Sequence, residues 1–133
     1  MSKVVLDSSA LLAFLLDEPG AKVVELALQE GAFMSTINLA EVLSKAADVG
    51  ENPEEYHSRL KREGILGGSI ELISFAESDA VLLAKLRTET KSLGLSLGDR
   101  ACLALGVQLK LPVITADKAW SKLHPGIKIK SIR

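Results

Sequence analysis

Short apolar runs that suit buried strands alternate along this 133-residue chain with longer stretches that suit helices, and that alternation leaves few folds open. Val4-Val5-Leu6 is rich in β-branched residues; after Asp7 the stretch Ser8 to Leu16 turns helix-compatible and stops at Pro19-Gly20. Ala21 to Gln29 sets Val23, Val24, Leu26, Ala27 and Leu28 among polar residues, Gly31 offers a stop, and Ala32-Phe33-Met34-Ser35 reads as a second strand. Thr36 is expected to cap a helix that runs through Asp48, with Gly50 beyond it, and this helix carries Glu41. Pro53 opens a helix over Glu54 to Glu63, three glycines interrupt the pattern, and Ile70 to Ser74 alternates as a strand does. Ala76 to Ser92 and Leu97 to Leu109, the latter capped by Ser96, read as helices. Pro112 to Thr115 reads as a strand, Asp117 to Lys122 as a short helix and Ile127 to Ile132 as a last strand. This order builds a parallel sheet covered on both faces, a three-layer α/β/α sandwich, and such sheets bind ligands beyond the carboxyl ends of their strands.

No repeat, low-complexity tract or polar linker divides the chain, so a single domain over residues 1–133 is expected. With 47% hydrophobic and 25% charged residues it can bury a core without a disulfide or structural metal. Cys102 is the one cysteine, which excludes an intramolecular disulfide, and the Cys/His spacing of a zinc site is missing. The apolar run Ala10 to Leu16 lies between Asp7 and Asp17 and is too short to span a bilayer. It also lacks the flanks of a secretory signal, so a cytoplasmic location and no membrane partner are expected. A formal charge of −1 supplies no global field for nucleic acid, so chemistry on a polyanion needs a local basic surface or bound cations.

Two acids stand directly past buried-looking strands, Asp7 after Val4-Val5-Leu6 and Asp117 after Val113-Ile114-Thr115-Ala116. Each alone is more often a helix cap than a ligand. Together, at corresponding ends of one parallel sheet, they form like charges that need a cation or a proton between them. Asp99 shares a helix face with Cys102 and Leu103, unusual for a solvated charge, although a carboxylate in a first turn also suits the helix dipole. Glu41 has Lys45 four residues on, and from spacing alone it belongs to a solvated face.

The remaining polar groups carry less chemistry. Cys102 reads as a small core residue, since no activating histidine lies on its segment. His57 and His124 have no matched second ligand and read as surface residues, while Trp120 is expected to pack against the sheet. Arg59, Lys61, Arg62, Lys118 and Lys122 are solvated faces with a minor chance of touching phosphate.

Four segments together resemble the PIN-domain ribonucleases: Val5-Leu6-Asp7-Ser8-Ser9-Ala10-Leu11, Ser35-Thr36-Ile37-Asn38-Leu39-Ala40-Glu41-Val42, Leu97-Gly98-Asp99-Arg100-Ala101-Cys102-Leu103-Ala104 and Pro112-Val113-Ile114-Thr115-Ala116-Asp117-Lys118-Ala119-Trp120. Order, spacing and chain length agree over essentially the whole chain, and the nearest likeness is to the VapC toxins of toxin-antitoxin pairs. The resemblance implies an acidic quartet of Asp7, Glu41, Asp99 and Asp117 that binds Mg²⁺ or Mn²⁺, with Ser9, Asn38 and Thr115 orienting carboxylates or water. It implies a central, mostly parallel sheet of four or five strands, a homodimer, and a cognate antitoxin laid in a groove between helices. The residue chemistry agrees, because hard divalent cations prefer carboxylate oxygen and water. The expected reaction is in-line attack of water on an RNA phosphodiester, leaving a 5′-phosphate and a 3′-hydroxyl.

A haloacid-dehalogenase-like phosphotransferase also places an aspartate after its first strand, but it resembles Asp-x-Asp there, and Asp7-Ser8-Ser9 lacks the second acid. A receiver-like signalling domain would want paired acids near the first strand and a lysine after the last, and neither is clear. The stronger alternative is a PIN-fold binding protein with little or no nuclease activity, against which the four intact acids argue.

Overall fold

The computed structural model describes residues 3–117, 120 and 127–133. Strands β1 (Val4–Leu6), β2 (Ala32–Ser35), β3 (Ile70–Ile73), β4 (Val113–Thr115) and β5 (Ile129–Ser131) form one sheet in the order β3-β2-β1-β4-β5. Every neighbouring pair is parallel. The crossovers carry α1 (Ser8–Leu15), α2 (Ala21–Glu30), α3 (Thr36–Asp48), α4 (Pro53–Arg62), α5 (Glu77–Glu89), the short 3₁₀ turn Lys91–Leu93 and α6 (Leu97–Leu109).

β1 is central and wholly buried, and its alternation sorts the core into two layers. Val4 and Leu6 join an apolar cluster with Ala10, Leu11, Val24, Val42 and Leu60 from α1 to α4. Val5, on the opposite face, packs with Leu83, Leu86, Leu103, Val113 and Trp120. The sandwich therefore has α1 to α4 on one side of the sheet and α5 and α6 on the other, as the alternation of strands and helices predicts. Cys102 and Trp120 are core residues, as expected. No helix among the described residues is long and apolar enough to cross a membrane.

Some boundaries differ from the sequence reading. The cap of α3 is Ser35, whose Oγ accepts from the Ile37 amide at 3.1 Å, because β2 runs into the helix without a loop. Thr36 is instead the first helical residue, and its hydroxyl oxygen accepts from the Phe75 amide at 3.1 Å. The helix expected through Ser92 stops at Glu89, where buried Thr90 turns its hydroxyl onto the Leu86 carbonyl and the chain tightens into the 3₁₀ turn. The last strand covers only Ile129–Ser131. The short helix expected over Asp117 to Lys122, and with it Lys118, Lys122 and His124, falls largely outside the described residues.

α6 reaches the sheet through a glycine. A β-carbon at Gly106 would stand 2.5 Å from Val113 Cγ2 and 3.3 Å from the Leu111 carbonyl oxygen, so the bare backbone sets the spacing between α6 and β4. Helix propensity alone favours Gly106→Ala by about 1 kcal/mol. Overpacking against β4 should outweigh that gain and leave a net loss of roughly 1–2 kcal/mol in urea unfolding. A more stable variant would show that α6 is not held this close to the sheet.

Candidate active site

The carboxyl ends of β1 and β4 lie side by side, and their last residues build the centre of the site. Asp7 caps α1 with extended backbone, and its carboxylate is 4% exposed. Oδ1 accepts from the Ala10 amide and the Ser9 hydroxyl, each at 2.8 Å, and Oδ2 accepts from the Thr115 hydroxyl at 2.6 Å. Thr115 is the last residue of β4, so this bond crosses from one strand end to the next. Ser9 Oγ also accepts from the Ala116 amide at 3.0 Å, and Thr115 Oγ1 from the Asp117 amide at 3.0 Å. One hydroxyl thus links the chain positions of Asp7 and Asp117.

Burial pushes the Asp7 carboxyl up to about 6, against the lowering effect of its three hydrogen bonds, and the charge of Asp99 adds to the rise. Among the described residues no lysine or arginine forms an ion pair with it. Asp7 thus caps α1 and, with the same side chain, meets the end of β4 at the carboxyl edge of the sheet.

Glu41 is not a freely solvated group. It is partly buried, and its Oε1 accepts from Ser8 Oγ and from Asn38 Nδ2, each at 2.9 Å. Asn38 Nδ2 also donates to the Gly98 carbonyl at 3.0 Å, joining α3 to the first turn of α6. Buried Asn38 Oδ1 has no hydrogen-bond partner. Asp99 sits in that same first turn as half of a capping box: its Oδ2 accepts from the Ser96 amide at 3.0 Å while its own amide donates to Ser96 Oγ at 3.1 Å. Asp99 therefore caps its own helix, and its charge also acts on Asp7. The Cys102 thiol, wholly buried, is raised well above its ordinary value by burial and then by the charges of Asp7, Asp99 and Glu41. Asp117 is exposed at the rim.

The structure brings Asp7, Ser9, Thr115 and Asp117 together at the strand ends, and Glu41 and Asn38 together against α6 beside Asp99. Ser8 and Gly98 belong to the site as well. Ser8 reads only as a helix start in the sequence, and Gly98 only as the neighbour of Asp99; a contact across 33 residues has no local signature. The donor set is carboxylate, hydroxyl and amide oxygen, which suits a hard divalent cation. The buried Asp7 carboxylate and the orphaned Asn38 oxygen suit one too. Among the described residues no three His, Cys, Asp or Glu side chains already converge as a metal cage; Asp7, Glu41 and Asp99 are each turned onto their own hydrogen-bond donors.

The family model described as PIN domain matches residues 4–124. None of the curated proteins matches the sequence. Solved structures of similar fold include a toxin-antitoxin complex from Klebsiella pneumoniae, 23% identical over 98% of each chain with a TM-score of 0.70. FitAcB from Neisseria gonorrhoeae is 23% identical over 97% of each chain with a TM-score of 0.74. DNA-bound VapBC from Salmonella typhimurium is 19% identical over 100% of each chain with a TM-score of 0.73. With the family's model spanning nearly the whole chain and the fold shared with these structures, the chain belongs to the PIN-domain family.

Proposed function

We propose that this chain is a metal-dependent endoribonuclease and the toxin of a toxin-antitoxin pair. The observation that carries this reading is the Asp7 carboxylate, buried at a strand end, raised by that burial and then by Asp99, with no lysine or arginine ion-paired to it among the described residues. Such an arrangement costs stability unless a cation enters. Asp7, Glu41, Asp99 and Asp117 would hold Mg²⁺ or Mn²⁺. When bound, the ion activates water and offsets negative charge on the scissile phosphate.

The chain's own groups prepare this chemistry. Ser9 and Thr115 donate to the two oxygens of Asp7 and hold its carboxylate plane, and Ser8 and Asn38 do the same for Glu41. Asp99 joins them by giving up its bond from the Ser96 amide, a weak exposed contact. Hydrolysis in this setting leaves a 5′-phosphate and a 3′-hydroxyl.

An antitoxin partner agrees with two further observations. One solved structure of similar fold is a toxin-antitoxin complex, that from Klebsiella pneumoniae. On this chain, Leu12, Leu15, Leu16, Val49 and Tyr56 line an apolar groove between α1, α3 and α4, with Leu16 56% and Val49 76% exposed. Apolar surface of this kind suits a peptide helix. A homodimer and a cytoplasmic location complete the reading.

RNA cleavage should need Mg²⁺ or Mn²⁺ and stop in excess EDTA. Asp99→Asn should reduce cleavage by about 100-fold or more, the scale for losing one electrostatic group from an active site. In EDTA its urea stability should stay within about 1 kcal/mol of the parent, because the lost dipole interaction is offset by relief of repulsion with Asp7. Near-normal cleavage by this variant would reject the ligand role. In the metal-free protein the Asp7 carboxyl carbon should titrate by NMR near 6. Since this folded value lies above the unfolded one, Asp7 destabilises the fold progressively as pH rises from about 4 to 6, and the loss then levels off. A midpoint near 4 would remove the argument from burial.

A further inference from the structure

In the first turn of α6 the carboxylate of Glu41 lies directly on the backbone of Gly98. A β-carbon at Gly98 would clash with Oε1, Oε2 and Cδ of Glu41, so the carboxylate occupies the space that a side chain there would need. Gly98 itself is buried. Asn38 Nδ2 donates both to Glu41 Oε1 at 2.9 Å and to the Gly98 carbonyl at 3.0 Å, and two acceptors facing one end of the amide fix that end as the NH₂. Ser8 Oγ reaches the same Oε1 from α1. The carboxylate thus sits at the amino end of α6, where unpaired amides favour an anion, one residue before Asp99. Helix propensity gives no reason for glycine in this turn, since alanine is the better helix former.

We propose that Gly98 is a positioning residue of the acidic site: its missing side chain is the seat of the Glu41 carboxylate, and Asn38 is the latch that keeps it there. The proposal rests on the reading of the acids as a metal-dependent nuclease site, but the seat is a property of the metal-free protein and can be tested there. Substitution at Gly98 expels Glu41 from the side of Asp99. It leaves Asp7 alone, because the donors to Asp7 come from Ser9, Ala10 and Thr115.

The experiment is a cycle of parent, Gly98→Ala, Glu41→Ala and the double variant, followed by urea unfolding in EDTA and by Mn²⁺ calorimetry on the folded proteins. Gly98→Ala should lower the urea midpoint in the parent. In the Glu41→Ala background, where the space is vacated, it should leave the midpoint unchanged or raise it. Equal lowering in both backgrounds would overturn the seat. Mn²⁺ binding by Gly98→Ala should weaken about tenfold or more, as for a group that orients a ligand. Gly106→Ala, which disturbs the other end of the same helix, should keep the parent's Mn²⁺ affinity. Parental Mn²⁺ affinity in Gly98→Ala would overturn the positioning role, whatever the unfolding cycle shows. Absence of Mn²⁺ binding by the parent itself would overturn the nuclease reading and the positioning role with it, while the unfolding cycle would still show whether Glu41 rests on Gly98.

Discussion

Burying the Asp7 carboxylate with no ion pair to it among the described residues is the constraint around which the strand ends are arranged. Its residue is 4% exposed, and the cost of removing its charge from water is met by three donors drawn from two elements, Ser9 and Ala10 in α1 and Thr115 in β4. Those bonds fix the start of α1 relative to β4, which in turn sits beside β1 in the centre of the sheet. The compensation is incomplete, since burial still outweighs the hydrogen bonds and the Asp7 carboxyl rises to about 6. An unsatisfied negative site at the carboxyl edge of a parallel sheet is what a cation-dependent catalyst requires before its ion arrives.

α6 supplies the other half of the arrangement and does so by close approach. Gly106 lets its far end meet Val113 of β4, and Gly98 lets its first turn receive the carboxylate of Glu41 from α3. The helix thereby brings Asp99 toward the β1 edge while its inner face, through Cys102 and Leu103, stays in the core. The two glycines are poor helix formers chosen by packing, so the site's geometry is set by backbone contact more than by side-chain reach.

Much of the fold was legible in the sequence because its signals are local and periodic. The β-branched runs of β1 and β4, the Pro53 start of α4 and the Ser96 cap of α6 each follow from neighbouring residues. The strand ends also pointed to Asp7 and Asp117, since in a parallel sheet the position after a strand is the ligand-binding edge. Two adjacent hydroxyl residues at 35 and 36 left the choice of cap for α3 to tertiary structure, and the segment after β3 settled it by taking Thr36 as the acceptor for the Phe75 amide. Glu41 was the least legible acid. Its spacing to Lys45 suggested a surface pair, whereas its partners, Ser8 and the Gly98 backbone, lie far off in sequence and come near only when α1, α3 and α6 converge.

The proposed function stands on these acids sharing one divalent cation at the carboxyl edge of β1. Substoichiometric Mn²⁺ added to ¹⁵N-labelled protein tests it without RNA, through paramagnetic broadening of nearby amides. A shared ion there should selectively remove the Asp7, Ser8, Gly98, Asp99 and Asp117 amide signals, with those of α4 and of β3 at the far edge of the sheet retained. Uniform weak broadening, or broadening centred on α4 or β3, would contradict it.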